Sequence, residues 1–226
     1  MQDEVQKALV VLSGGQDSTT CLYWAIDRYG LAAVETLTFD YGQRHRIELE
    51  CAAEVAEFAG VGNTCLPIDT LTALGGDSLT DPDIVVKNDV DANTGLPNTF
   101  VPGRNLIFLT YAAAFAYRRG IQNIVTGVAQ TDYSGYPDCR EETIVALQQA
   151  LRLGMETNVT IHTPLMHLGK KETVELARDL GGLPAMAYTH TCYNGERPPC
   201  GHCPACELRA KGFEQAGIAD PLLAAA

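Results

Sequence analysis

Ala8-Leu9-Val10-Val11-Leu12-Ser13-Gly14-Gly15-Gln16-Asp17-Ser18-Thr19-Thr20-Cys21 is the stretch whose reading decides the fold. The apolar run Ala8 to Leu12 reads as a buried strand, and Cys21-Leu22-Tyr23-Trp24-Ala25-Ile26 has a helical pattern. The residues between are small and hydroxylic. A strand, a tight turn and a helix start form a recurring phosphate cradle, because the helix N-terminus offers free N–H groups and the positive end of its dipole. Gly14 and Gly15 permit a tight backbone that an anion can approach closely. Ser13, Ser18, Thr19 and Thr20 add hydroxyl donors.

The kind of cradle narrows the chemistry. There is no Gly-Lys-Ser/Thr and no G-x-G-x-x-G, so neither a Walker A loop nor a dinucleotide fingerprint is present. The S-G-G-x-D-S stretch resembles the pyrophosphate loop (PP-loop) of ATP enzymes that cleave ATP into AMP and pyrophosphate. That resemblance implies that the loop holds the departing pyrophosphate and that Asp17, near the phosphates, carries Mg²⁺. The simpler alternative is a plain β-to-α turn with Asp at the helix start. The strand before it and its place near the N-terminus favour the cradle.

Working outward, Ala33 to Phe39, Asn63 to Ile68, Gln122 to Val128 and Thr160 to Thr163 read as further strands. Ile47 to Ala59 has helical spacing, with Leu49, Ala52, Ala53, Val55 and Ala56 apolar and glutamates between them. Asn105 to Arg119, Glu141 to Leu153 and Lys171 to Leu180 are helices as well. Strands alternating with helices predict an α/β fold, a Rossmann-like parallel sheet with helices on both faces. Residues 69–102, rich in Gly, Asp, Asn, Thr and Pro, are too long for a plain connection and read as a functional loop or lid. The chain is expected to divide into an ATP-binding α/β domain over 1–185 and a cysteine-bearing segment over 186–226.

Bulk properties exclude some classes. The chain of 226 residues is 46% hydrophobic and 19% charged. No apolar run approaches the ~20 residues that span a bilayer. Met1-Gln2-Asp3-Glu4 lacks a signal-peptide pattern, so a cytoplasmic location is the expectation. A net charge of −12 argues against a nucleic-acid partner, which demands cations against phosphates, and favours a small-molecule substrate.

Four of the eight cysteines stand together as Cys192-x7-Cys200-x2-Cys203-x2-Cys206, among Gly195, Pro198, Pro199, Gly201 and Pro204. Four thiolates within sharp turns suit a closed, structural Zn²⁺ site, and an iron–sulfur cluster is the main rival. His202 is a substitute ligand or a solvent-facing group. Zinc would tie the tail, Glu207 to Gln215 included, onto the main domain.

Read together, these pieces resemble the 7-cyano-7-deazaguanine synthase family of queuosine biosynthesis, within the PP-loop superfamily. The matching stretches run through nearly the whole chain. They are Ser13 to Cys21, Phe39-Asp40-Tyr41-Gly42-Gln43-Arg44-His45, Val101-Pro102-Gly103-Arg104-Asn105, Thr131-Asp132-Tyr133-Ser134-Gly135-Tyr136-Pro137-Asp138-Cys139-Arg140, and the tail from Thr191-Cys192-Tyr193-Asn194-Gly195. The resemblance implies an adenine nucleotide alpha-hydrolase-like fold and an ATP-dependent, AMP-forming ligase with Mg²⁺ and Zn²⁺. Its substrates would be 7-carboxy-7-deazaguanine and ammonia. One ATP activates the carboxylate as an acyl adenylate, ammonia gives the amide, and a second ATP adenylates the amide oxygen to leave the nitrile. A homodimer is expected, with the apolar helix Leu106 to Tyr117 available to a second copy as well as to the core.

Site residues follow from the same resemblance. Leu12, Ser13, Gly14, Gly15, Gln16, Asp17, Ser18 and Thr19 would bind nucleotide, with Phe39 bounding the adenine pocket and Gly127 beside it. Asp17, Lys170, Arg104 and Asp132 would be catalytic. Tyr41, Gln43, His45, Arg104, Asn105, Asp132, Tyr133, Ser134, Asp138 and Arg140 would bind substrate. Arg104 would take a phosphate or the substrate carboxylate, and an Asp of the 132–138 loop the N–H edge of the base. Cys192, Cys200, Cys203 and Cys206 would hold the metal. One departure stands out: Ala129-Gln130 replaces an expected Cys-Glu, which opens the alternative of a variant that stops at the amide. A tRNA-thiolating PP-loop enzyme, with Cys21 or Cys139 as thiol, is a second alternative that the charge disfavours.

Overall fold

The computed structural model describes residues 6–43, 45–81, 83–84, 90, 94–131 and 136–224. Five strands form one sheet: β1 (Ala8–Val11), β2 (Val34–Asp40), β3 (Gly62–Pro67), β4 (Asn123–Val125) and β5 (Thr160–His162). Around it lie α1 (Gln16–Tyr29), α2 (Ile47–Ala59), α3 (Arg104–Tyr117), α4 (Glu141–Met155), α5 (Lys170–Asp179), α6 (Pro204–Ala216) and the short α7 (Pro221–Ala224). The strand order is β3-β2-β1-β4-β5 and every pairing is parallel.

The pattern of β1 explains the layers. Successive side chains of a strand point to opposite faces, and here both parities are apolar. Ala8, Val10 and Leu12 pack with Cys21, Leu22 and Ala25 of α1 and with Ala52, Val55 and Ala56 of α2. Leu9 packs on the other side with Leu109, Ala112 and Ala116 of α3 and with Ile144 and Leu151 of α4. A strand buried on both faces belongs in the middle of a parallel sheet covered by helices. Strand order reverses at β1: β2 and β3 extend one way, β4 and β5 the other. The connections that leave the C-terminal ends of β1 and β4 therefore diverge and open a crevice there.

The segment after β3 is anchored to the body of the protein. Ile68, Leu71 and Val101 are buried in the core. The Asp77 carboxylate accepts the Leu79 and Thr80 N–H groups at 2.9 Å and the Thr80 hydroxyl at 2.7 Å. Ser78 N–H donates to the Asn98 carbonyl at 2.9 Å. What reads as a lid is, in its described part, a structured wall whose Leu79 reaches the crevice.

The C-terminal segment holds a helix where the sequence pattern names none. α6 begins at the cysteine cluster, with Cys203 at its N-cap and Pro204 just inside, where a missing N–H does no harm. It packs on α5 through Val174, Ala177, Met186 and Phe213. Arg209 fixes the arrangement. Its Nε and Nη2 donate to the two Asp220 carboxylate oxygens at 2.7 and 2.8 Å. Nη1 donates to the Thr189 and Thr191 hydroxyls at 2.8 and 3.0 Å. Both members of the ion pair are buried, with side chains 4% and 7% exposed. Removing one partner of a buried pair strands the other charge, so Arg209→Ala should lower the unfolding free energy by about 3 kcal/mol. Urea unfolding measures this, and a midpoint equal to wild type would show that the clamp contributes nothing.

No helix among the described residues is long and apolar enough to cross a membrane.

Candidate active site and metal centre

A cleft of about 310 Å³ opens at the reversal of strand order. Its wall draws on distant parts of the chain, among them the loop after β1, the end of β2, the starts of α2 and α3, the chain leaving β4, and the C-terminal segment.

At one end lies the loop Ser13 to Ser18. Gly15 is the N-cap of α1 and no side chain caps that helix, so first-turn N–H groups lack an intrahelical partner. Ser13 N–H donates to Ser18 Oγ at 3.1 Å, and Ser18 Oγ donates to the Gly15 carbonyl at 3.1 Å. Lys170 Nζ, at the start of α5, donates to Asp17 Oδ2 at 2.7 Å. The other carboxylate oxygen, Asp17 Oδ1, is buried with no hydrogen-bond partner among the described residues, as is Gln16 Nε2. Orphaned buried polar atoms are rare in folded proteins. An unmatched carboxylate oxygen beside an uncapped helix N-terminus suits a bound cation together with an anion, which is what Mg²⁺ and a polyphosphate supply.

Beyond the loop, Phe39 stacks on Phe108 of α3, with ring centroids 4.6 Å apart. The Gln43 amide turns back to brace the backbone, accepting Tyr41 N–H at 3.0 Å and donating to the Phe39 carbonyl at 3.3 Å. Arg104, the first residue of α3, donates to Tyr41 Oη at 3.4 Å and lies over the Tyr41 ring. Burial acts against its charge, but Tyr41, Tyr136, Asp138 and Tyr193 around it hold the guanidinium protonated. Burial pushes the Tyr41 hydroxyl up to about 12, so it stays neutral.

The four cysteine sulfurs of Cys192, Cys200, Cys203 and Cys206 lie within 4.8 Å of one another. Zn–S bonds of about 2.3 Å in a tetrahedron place sulfurs roughly 3.8 Å apart, and Cys200 and Cys206 are 3.9 Å apart. Backbone N–H groups point at these sulfurs: Cys200 to Cys192 at 3.5 Å, Tyr193 to Cys203 at 3.4 Å and Cys203 to Cys200 at 3.3 Å. Such donors stabilise thiolates, so the residues fit a tetrahedral metal ion. His202 is exposed, and its Nδ1 engages the Cys200 carbonyl at 2.8 Å; it is not part of the cluster.

The family model for queuosine biosynthesis protein QueC matches residues 7–217. The chain is 66% identical over 218 residues to the 7-cyano-7-deazaguanine synthase of Chromobacterium violaceum, covering 96% of this chain and 93% of the relative. This chain belongs to the 7-cyano-7-deazaguanine synthase family. The synthase of Laribacter hongkongensis is 63% identical, again over 218 residues, covering 96% of this chain and 94% of that one. A solved structure described as a predicted subunit of tRNA methyltransferase from Methanocaldococcus jannaschii shares the fold, with a TM-score of 0.51 at 18% identity over 76% of this chain and 74% of that one.

The cleft gathers most of the residues that the family resemblance singles out. Leu12, Ser13, Gly15, Gln16, Asp17, Ser18, Phe39, Tyr41, Gln43, Arg104, Asn105, Gly127 and Lys170 all lie on its wall. Others are placed differently. Gly14 faces away, toward α2. It has φ +77°, and a Cβ there would sit 2.5 Å from the Glu48 carbonyl oxygen, so this glycine lets two backbones meet and does not open a path to an anion. The Thr19 hydroxyl is buried and donates to the Gly15 carbonyl at 2.9 Å. Asp138, 4% exposed, accepts the Asn105 N–H at 2.9 Å through Oδ2 and so secures the start of α3. Arg140 is exposed at the start of α4, away from the main cleft. His45 packs against Gly195 of the C-terminal segment, where any Cβ would collide with its ring. Asp132, Tyr133 and Ser134, together with Arg44, lie outside the described residues.

The structure also adds residues to this site. Glu48 of α2 lines the cleft, and so do His190, Thr191, Tyr193 and Arg209 of the C-terminal segment. Helical spacing sets Glu48 among the glutamates of a solvent face, and only the approach of α2 to the Gly14 loop turns it inward. Burial pushes its carboxyl up to about 7, with the charge of Arg104 pulling the other way.

Proposed function

We propose that this chain converts 7-carboxy-7-deazaguanine and ammonia to 7-cyano-7-deazaguanine, using ATP and releasing AMP and pyrophosphate. The observation that carries this reading is the 66% identity, across 96% of the chain, to a protein named for that product. The cleft supports it independently. A carboxylate is a poor electrophile, and transfer of an adenylyl group to it supplies a good leaving group. The site must then hold pyrophosphate, neutralise its charge and keep water from the adenylate.

In this reading the Ser13–Ser18 loop and the first turn of α1 grip the pyrophosphate. Asp17 would hold Mg²⁺, and Lys170, paired with it at 2.7 Å, would stand ready to neutralise phosphate charge. Phe39 and Gly127 flank the adenine. Arg104 faces the substrate carboxylate and the base lies toward Tyr41 and Asn105, with Asp132, Tyr133 and Ser134 as further substrate-binding residues by the family resemblance. Zn²⁺ on the four cysteines would be structural, since four thiolates fill a tetrahedron. Residues 186–226 would then act as a module packed on the 1–185 domain. A homodimer is also proposed, with the exposed Tyr111 and Tyr117 of α3 and Val145 and Leu153 of α4 offering apolar surface.

Gln130 in place of the expected Glu keeps the amide-stopping variant as the alternative reading. Its Oε1 accepts the Glu141 N–H at 3.2 Å at the start of α4, and it lines a pocket that adjoins the main cleft at Ala129 and Tyr136. Mass spectrometry of products from the carboxy-deazaguanine with ATP, Mg²⁺ and ammonium tests the whole reading. The nitrile and AMP are expected; accumulation of the amide, or release of ADP, would overturn it.

A further inference from the structure

Two acidic side chains stand on the cleft wall among the described residues, Asp17 and Glu48. Asp17 is bound by Lys170. Among the described residues no hydrogen bond to the Glu48 carboxylate is present; what acts on it is burial and the nearby charge of Arg104. Its position is fixed by backbone, since α2 is pressed against the Gly14 loop through the Glu48 and Ala52 main chain. The charged and titratable groups that share its surroundings are Arg104 from α3, Tyr41 from the end of β2 and Cys51 from its own helix. Burial raises both Tyr41 and Cys51, so each is neutral near pH 7. Among the described residues Arg104 is thus the cation acting on Glu48, and it is also the group that faces the substrate carboxylate in the reading above.

That juxtaposition defines a chemical task. The attacking nitrogen uses its lone pair to form the C–N bond at the activated carboxyl carbon. The bond from that carbon to the adenylate oxygen breaks, and its electron pair leaves on AMP. Before that bond breaks, the added nitrogen carries one proton in excess and must lose it, or the addition reverses. We propose that Glu48 is the base that receives this proton, as a carboxylate held beside the reacting carbon by α2, and that it afterwards releases the proton to solvent. The inference rests on the reading of the preceding section. A carboxyl raised to about 7 is well matched to the role, because its basicity lies near neutral pH while a useful fraction remains ionised.

Two readouts separate this role from simple binding. Carboxylate-dependent exchange of pyrophosphate into ATP, without ammonium, reports activation alone. Product formation with ammonium reports the proton-requiring step. Glu48→Gln should slow the ammonium-dependent step by about 10²- to 10⁴-fold, with exchange altered by no more than about 3-fold and with Glu48→Asp intermediate. Plotted against free ammonia, the wild-type rate should fall below a pH of about 7, and that limb should vanish in Glu48→Gln. Equal losses in both assays would make Glu48 a binding residue and overturn the proposal, as would full product formation by Glu48→Gln. Wild-type protein that shows no exchange at all would instead bring down the activation chemistry itself, and this inference with it.

Discussion

Asp17→Ala is expected to lower AMP formation by about 10³-fold, a loss of roughly 4 kcal/mol of transition-state stabilisation, with little change in melting temperature. The separation of the two effects follows from the geometry. Asp17 stands in the first turn of α1 and forms an ion pair with Lys170 at 2.7 Å. Both side chains are partly exposed, 27% for Asp17 and 19% for Lys170, so water takes over the released ammonium group. Surface-like pairs of this kind contribute about 0–1 kcal/mol to stability. Catalysis has more to lose, because the buried Oδ1 has no hydrogen-bond partner among the described residues and Asp17 is the residue proposed to hold Mg²⁺ against the phosphates. Asp17→Asn sharpens the comparison: it keeps the volume and removes the charge, and should be nearly as inactive. Turnover within a few-fold of wild type in either variant would remove Asp17 from the phosphate site.

The second large effect concerns the cysteine cluster. Cys203→Ser should release the metal and lower the melting temperature by about 10 °C or more, equivalent to roughly 3–5 kcal/mol at this chain length. That is a fraction of the ~10–16 kcal/mol with which zinc-finger peptides bind zinc. Cys203 caps α6, and α6 carries Arg209, so loss of the metal loosens the helix that packs on α5. Activity should fall as well, because Thr191 and Tyr193, on either side of Cys192, form part of the cleft wall. Elemental analysis of the wild-type protein should find one zinc per chain. Wild-type stability in a metal-free Cys203→Ser protein would contradict a structural metal, and iron with visible absorbance would replace zinc by a cluster.

The strands and most helices were legible because their pattern is local. Ala8 to Leu12 is apolar at both parities, which marks a central parallel strand, and the helical spacing of Ile47 to Ala59 matches α2 in both bounds. α6 was not legible. Its pattern is interrupted by Gly212, which looks like a break, and the reason for that glycine lies elsewhere in the chain. A Cβ at Gly212 would stand 2.9 Å from Lys170 Cβ, so the residue is small because α5 and α6 cross there.

The amino-acid sequence alone determined the order of the five strands and of α1 to α5, the small-residue loop between β1 and α1 and the set of four thiols, since each is written in neighbouring residues or in fixed spacing. Tertiary structure decided which polar groups face the cleft. Asp138 and Gln130 turned out to serve helix starts, Gly14 a backbone crossing, and Glu48 the cleft interior. A side chain's task depends on what the fold brings opposite it, and those partners lie tens of residues away along the chain, beyond the reach of any local pattern.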